Sequence, residues 1–253
     1  MYYQLFKNLL FAPVVRWLFR ARIEGAENVP ETGGAILASN HIAAGDTFVM
    51  PALLRRQVTF PAKAELVLGN RGLGSKIIAW FLKGVGQVPL DRSGGRVSLE
   101  GLSPVLRVLA DGGLVGIYPE GTRSPDGRLY KGRTGVARMA LAAGVPVIPV
   151  AVANTGPVRT RLGIPWIWKP RVVIGKPHDF SAYAALAEDR DTLRWVTDEV
   201  MNDIQQLSGQ TYVDAYGTSV KSGSLSAAEA EARVLPHPGY GGTPPQLPSG
   251  GLS

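Results

Sequence analysis

A chain of 253 residues, 45% of them apolar, can bury one large core or two small ones, and without a single cysteine it has no disulfide framework, thiol nucleophile or thiolate zinc site. Its three histidines are well separated, which argues against a metal cluster. The net charge of +7 is uneven: residues 1–176 carry 23 Lys and Arg against 10 Asp and Glu, whereas residues 177–253 carry 4 against 10, so the body is basic enough to attract phosphates, coenzyme A, anionic lipid or nucleic acid.

Residues 1–20 are apolar and aromatic but interrupted by Lys7, Asn8 and Arg16. The longest uninterrupted apolar run, residues 9–15, is seven residues, against roughly 20 needed to span a bilayer. No small-residue cleavage pattern follows it. Tyr2, Tyr3, Phe6, Leu9, Leu10, Trp17 and Leu18, flanked by Lys7, Arg16 and Arg20, suit a helix lying in a membrane interface, with Pro13 bending it. Buried strands are expected at residues 34–39 and 58–62, a helix at 75–82 and an extended stretch at 87–90. Helical spacing of Leu99, Leu102, Val105, Leu106 and Leu109 predicts a helix over 97–110. A strand at 114–118, a helix at 135–143 stopped by Gly144 and a strand at 147–152 follow. An edge strand at 171–174 and one acidic amphipathic helix over 186–207 complete the series. Alternating strands and helices indicate an α/β domain with a central, largely parallel or mixed sheet. Functional residues should then fall just past strand ends, as His41 and Glu120 do. Beyond Ser222, Gly, Ala, Ser and Pro dominate, which reads as a flexible tail without catalytic duty.

Asp46 lies five residues after His41. In a straight helix that spacing turns the two side chains about 140° apart, so a contact requires the segment to turn first, and Gly45 gives it freedom to do so. An aspartate on one imidazole nitrogen fixes the tautomer and leaves the other nitrogen free to take a proton. Asn40 is placed to cap a following helix. Ser39 is adjacent, but the Gly-x-Ser-x-Gly elbow of serine hydrolases is absent from the sequence. The economical reading is that the substrate supplies the hydroxyl, giving direct acyl transfer. In Tyr118-Pro119-Glu120-Gly121-Thr122-Arg123-Ser124, Gly121 allows an unusual backbone path, Thr122 offers a hydroxyl and Arg123 a planar fork for phosphate. Glu120 could take a substrate hydroxyl or hold Arg123. Lys63 and Arg92, each after an apolar stretch, are further phosphate candidates. The glycines form no Walker or dinucleotide fingerprint, and no helix-turn-helix, zinc-finger or aromatic RNA-binding signature points to nucleic acid.

Taken together these motifs resemble the 1-acyl-sn-glycerol-3-phosphate acyltransferase family of glycerolipid acyltransferases. Residues 40–46 match its Asn-His-x4-Asp block, and residues 86–92 are similar to its second block, which ends in the arginine at Arg92. Residues 118–124 match its Phe-Pro-Glu-Gly-Thr-Arg-Ser block with Tyr118 for the first Phe, and residues 145–150 resemble its fourth. The resemblance spans about residues 24–176. It implies His41 as base, Asp46 as its partner, and Lys63, Arg92, Glu120, Gly121, Thr122 and Arg123 as substrate-binding residues. It implies no cofactor or metal, but acyl-CoA or acyl-carrier protein as co-substrate. The expected reaction acylates the 2-hydroxyl of 1-acylglycerol 3-phosphate to phosphatidic acid. Alternatives are glycerol 3-phosphate or another lysolipid or glycolipid as acceptor, a non-catalytic binder of acidic lipid, and a serine hydrolase. The expected organisation is a membrane-associating segment at 1–20, an acyltransferase domain at 21–215 and a flexible tail at 216–253. That places the protein on the cytoplasmic membrane face. Trp80, Phe81 and residues 147–150 are candidates for the wall of an acyl channel.

Overall fold

The computed structural model describes residues 12–63, 88–90, 99–159 and 165–246. Its strands are β1 (Arg22–Glu24), β2 (Ala35–Ser39), β3 (Val58–Thr59), β4 (Pro61–Lys63), β5 (Val88–Leu90), β6 (Leu114–Ile117), β7 (Leu129–Tyr130), β8 (Val147–Ala153), β9 (Val158–Arg159), β10 (Pro165–Trp166), β11 (Arg171–Ile174), β12 (Tyr212–Val213) and β13 (Val234–Leu235). The α-helices are α1 (Asp46–Leu53), α2 (Leu99–Ala110), α3 (Gly135–Ala143), α4 (Arg190–Ser208), α5 (Gly217–Lys221) and α6 (Ala227–Glu231).

Six strands form the main sheet in the order β1-β11-β8-β2-β6-β3. All its pairs are parallel except β11 with β8, so the sheet is mixed. β2 is buried at every position because both faces are covered. Its alternation divides the core: Ile36 and Ala38 pack with Leu102, Val105 and Leu109 of α2, Val136 and Ala140 of α3, and Val196 and Val200 of α4. Ala35 and Leu37 face the other layer, with Val49, Met50 and Leu53 of α1 and Val15 from the N-terminal segment. The result is helices on both faces of one sheet. The three central parallel strands, β8, β2 and β6, end on the same side and deliver Thr155, His41 and Glu120 to that rim.

Several sequence expectations change in detail. The stretch at 171–174 is not an edge, because β1 pairs outside it. The apolar run at 58–62 divides, with β3 joining the main sheet and β4 pairing with β5. Between them the Phe60 ring lies over Gly116 of β6, where a Cβ would come within 2.5 Å of the ring. The helix expected over 186–207 starts later, at Arg190. Asp189 accepts from Thr192 N at 2.8 Å as its N-cap, and a separate 3₁₀ turn occupies Ser181–Leu186. The expected helix at 75–82 lies outside the described residues. Residues 147–150, candidate channel wall, are interior on both sides of the sheet: Val147 belongs to one core layer, Ile148 and Val150 to the other.

The segment expected as a flexible tail carries elements. Its β13 pairs antiparallel with β12, which precedes the segment and pairs parallel with β7, and α6 opens on a capping box between Ser226 and Glu229. Leu225, Ala230, Val213 and Ala215 close a small third core around the fully buried Tyr130. These apolar residues are too sparse to make a periodic stripe, which is why composition alone reads as a tail. Among the described residues no helix is long and apolar enough to cross a membrane.

Candidate active site

His41 follows the end of β2, and Asp46 is the first residue of α1. The intervening loop turns back, so that His41 Nδ1 lies 2.8 Å from Asp46 Oδ2. The same oxygen accepts from Ile42 N at 2.7 Å and Ala43 N at 2.9 Å. Thr155, itself fully buried, donates its hydroxyl to Asp46 Oδ1. Four donors thus converge on one buried carboxylate, which stands at a helix start where the dipole also favours negative charge. With Asp46 acting as acceptor throughout, the proton is fixed on Nδ1 and the Nε2 lone pair is left free; among the described residues nothing bonds to Nε2. The His41 side chain is 16% exposed, enough for a substrate to reach it.

Gly45 has an ordinary φ of −62°, so its role is not conformational freedom. A Cβ there would lie 2.1 Å from the Thr155 carbonyl oxygen. Glycine is needed for the close approach of the two loops that brings Thr155 to Asp46. Asn40 is not a helix cap either. Its amide accepts from Val152 N at 2.8 Å and donates to Val152 O at 3.1 Å and Gln210 Oε1 at 2.7 Å, clamping the end of β2 to β8. Ser39 is fully buried, and its hydroxyl donates to Asn40 O at 3.0 Å. It therefore makes no nucleophile–base pair with His41.

Tyr118 and Glu120 support the histidine from the end of β6. The Tyr118 ring stacks on the imidazole with centroids 3.9 Å apart and planes 12° apart, and Phe60 stacks behind it at 5.6 Å. Its hydroxyl is buried, and burial together with the Asp46 charge pushes the phenol far up, keeping it neutral. Glu120 was expected at a substrate hydroxyl or beside Arg123. Its two oxygens instead accept from His41 N and Tyr130 N, each at 3.0 Å, and the residue is 1% exposed. It positions the histidine backbone. Ser124 N donates to His41 O at 2.6 Å, so residues 120–124 hold both backbone polar groups of His41.

Gly121 has φ +71°, a left-handed conformation, and a Cβ there would meet the Arg133 side chain at 3.0 Å. The turn it makes leaves Thr122 half-buried and Arg123 exposed beside the histidine loop. The Lys63 backbone lies in β4, opposite Leu90 of β5. The Lys63 side chain and the whole of Arg92 lie outside the described residues, as do Trp80 and Phe81. Among the described residues no group of His, Cys, Asp and Glu could hold a metal ion.

Burial raises the Glu120 carboxyl to about 7, against the opposing pull of its two backbone donors. A folded-state value above the unfolded one means that the folded protein holds this proton longer. The associated stability is therefore full below about pH 4.5 and is lost as pH rises to about 7, on the order of 3 kcal/mol in all. Urea midpoints measured across that window should fall more steeply for the native protein than for Glu120→Gln. Parallel pH profiles for the two would contradict this.

The family model described as acyltransferase matches residues 20–153. The chain is 32% identical over 162 residues to the chloroplastic 1-acyl-sn-glycerol-3-phosphate acyltransferase LPAT1 of Arabidopsis thaliana, covering 63% of this chain and 44% of that one. It is 28% identical over 193 residues to the 1-acyl-sn-glycerol-3-phosphate acyltransferase of Bacillus subtilis, covering 75% and 88%. The chain spans about half the length of the chloroplastic relatives it matches. The crystal structure of the 1-acyl-sn-glycerophosphate acyltransferase PlsC from Thermotoga maritima has a similar fold, with a TM-score of 0.55 and 24% identity over 81% of this chain and 78% of that one. With more than half of its length matched by the family model, the chain belongs to the acyltransferase family.

Proposed function

We propose that the protein transfers a fatty acyl group from an acyl thioester, acyl-CoA or acyl-carrier protein, to the 2-hydroxyl of 1-acyl-sn-glycerol 3-phosphate, forming phosphatidic acid. The observation that carries this reading is an imidazole with one nitrogen committed to a buried aspartate and the other free, beside a loop presenting Thr122 and Arg123. His41 Nε2 takes the proton of the acceptor hydroxyl as its oxygen attacks the thioester carbonyl. The tetrahedral intermediate then collapses, the carbon–sulfur bond breaks, and the departing thiolate takes the proton back from the imidazolium. Asp46 stabilises the imidazolium between those steps. Such base catalysis is worth roughly 10²- to 10⁴-fold. The acceptor phosphate would sit on Arg123, with Lys63 and Arg92 as the remaining candidates. The relatives compared above are named as 1-acyl-sn-glycerol-3-phosphate acyltransferases, which favours that acceptor over glycerol 3-phosphate or a glycolipid. A non-catalytic lipid binder would not need the four donors gathered on Asp46.

The test is to give the purified protein labelled oleoyl-CoA with 1-oleoyl-lysophosphatidic acid, glycerol 3-phosphate or other lysophospholipids, and to resolve the products by acyl position. Label at the 2-position of phosphatidic acid is expected to predominate. Preferred acylation of glycerol 3-phosphate would overturn the acceptor assignment.

Attachment to an anionic membrane surface, on the cytoplasmic leaflet, fits the exposed side chains around the N-terminal segment. Trp17 is 82% exposed, Leu18 52% and Trp168 45%. Lys169 N bonds to Phe19 O at 2.8 Å, and Arg20 lies 5.3 Å from the Trp168 ring, so two segments present aromatics and cations together. Deleting residues 1–20 should release most of the protein from anionic liposomes. Full sedimentation of the truncated protein in high salt would place the attachment elsewhere.

A further inference from the structure

We propose that Lys221, on the short C-terminal helix α5, belongs to the acceptor-phosphate pocket and binds the phosphate together with Thr122 and Arg123. This rests on the acceptor reading above and adds to it a residue beyond positions 20–153 that the family model matches. The placement is built by several independent contacts. β12 pairs with β7 in register, Val213 opposite Tyr130, and Lys131 N bonds to Ala215 O at 3.0 Å. The chain then crosses the 120–124 loop at Gly217, where a Cβ would stand 3.4 Å from both Thr122 Cγ2 and Tyr130 Cγ. Arg133 also donates to Thr218 Oγ1 at 3.1 Å and lies 4.9 Å from the Tyr216 ring. Helix α5 is thus strapped to the loop, and Lys221 Nζ donates to Thr122 Oγ1 at 2.9 Å.

Two like charges meet here, and among the described residues neither is paired with a carboxylate. Glu120 is near enough to be felt, but both of its oxygens are taken by His41 N and Tyr130 N. Partial burial and then the Arg123 charge hold the Lys221 ammonium below its usual range. A phosphate monoester relieves that repulsion. The ammonium has three donors and spends one on Thr122, while the exposed Arg123 guanidinium offers a planar fork. Through Glu120 and Ser124 the same loop holds the backbone of His41, so a phosphate seated on it is held in fixed relation to the base.

Phosphate groups occur on both the acceptor and coenzyme A, and the experiment separates them. Initial rates of the full-length chain are measured with 1-oleoyl-lysophosphatidic acid and oleoyl-CoA varied in turn, for Lys221→Met, Lys221→Arg and Arg123→Ala. Thermal midpoints check that each is folded. Lys221→Met is expected to raise the acceptor KM about tenfold, with kcat and the oleoyl-CoA KM within about twofold of native, and Lys221→Arg to restore most of the loss. An unchanged acceptor KM in Lys221→Met alongside a raised one in Arg123→Ala would overturn the role of Lys221 and leave the loop as the phosphate site. Unchanged values in both would overturn the phosphate reading of the loop itself. A rise confined to the oleoyl-CoA KM would move Lys221 to the donor. A loss in kcat with no rescue by arginine would make it structural.

Discussion

Replacing His41 by alanine is expected to cut acyl transfer by roughly 10²-fold or more while the protein stays folded. The substitution removes the group that takes the acceptor proton, and no other described side chain bonds in its place. Ser39 is buried and directed at Asn40 O, and Tyr118, stacked under the ring, is held neutral. The fold should survive because Asp46 is not orphaned. Its carboxylate keeps Ile42 N, Ala43 N and the Thr155 hydroxyl as donors, so the loop retains three of its four anchors. Glu120 and Ser124 also grip the backbone of residue 41, which the substitution leaves in place. Turnover with oleoyl-CoA and lysophosphatidic acid should fall by roughly 10²-fold at the least, and as far as 10⁴-fold. The urea midpoint should move little. Activity within tenfold of native would remove His41 from the mechanism.

Asp46→Asn should cost roughly 10²-fold or more in kcat, and the geometry says why. An asparagine has one acceptor oxygen for the positions where Asp46 has two. Placing that oxygen toward His41, Ile42 N and Ala43 N satisfies three donors and turns the amide N–H₂ to the Thr155 hydroxyl, which can rotate to accept. The opposite flip would set the amide against two backbone N–H groups, so the first orientation prevails. The proton then stays on Nδ1, the orientation of the ring survives, and only the charge opposite the imidazolium is lost. The expected signature is a fall in kcat with the acceptor KM retained and a modest loss of stability. A large loss of folding stability without a specific effect on kcat would show that Asp46 serves the loop rather than the base.

Much of this site is legible in the sequence, but not its physical basis. The spacing of His41 and Asp46 shows only that the chain must turn between them. That Gly45 permits the turn by letting Thr155 approach, 110 residues further on, is a tertiary fact that no local pattern carries. Asn40 reads as a cap because its type and position fit one, yet its partners lie on β8 and after α4. Glu120, Thr122 and Arg123 read as one substrate-binding group, but the left-handed Gly121 divides them: Glu120 faces inward to His41, and Arg123 faces solvent. The alternation of strands and helices places the rim of the sheet correctly. The order of strands was open, because β1 is three residues long and its pairing with β11 is set across the fold. The C-terminal segment was the least legible. Its capping box of Ser226 and Glu229 opens a helix of only five residues, and the few apolar residues that dock it make sense only against Tyr130.

The central claim is that His41 acts directly on the acceptor hydroxyl, with no acyl group passing through the protein. Labelled oleoyl-CoA is mixed with excess native protein, with and without 1-oleoyl-lysophosphatidic acid. The reaction is quenched in acid, and label is followed in protein, free fatty acid and phosphatidic acid. Direct transfer predicts label in phosphatidic acid when acceptor is present, and intact oleoyl-CoA with an unlabelled protein when it is absent. A covalent acyl-protein forming without acceptor, or oleate released at the same rate in both reactions, would contradict it.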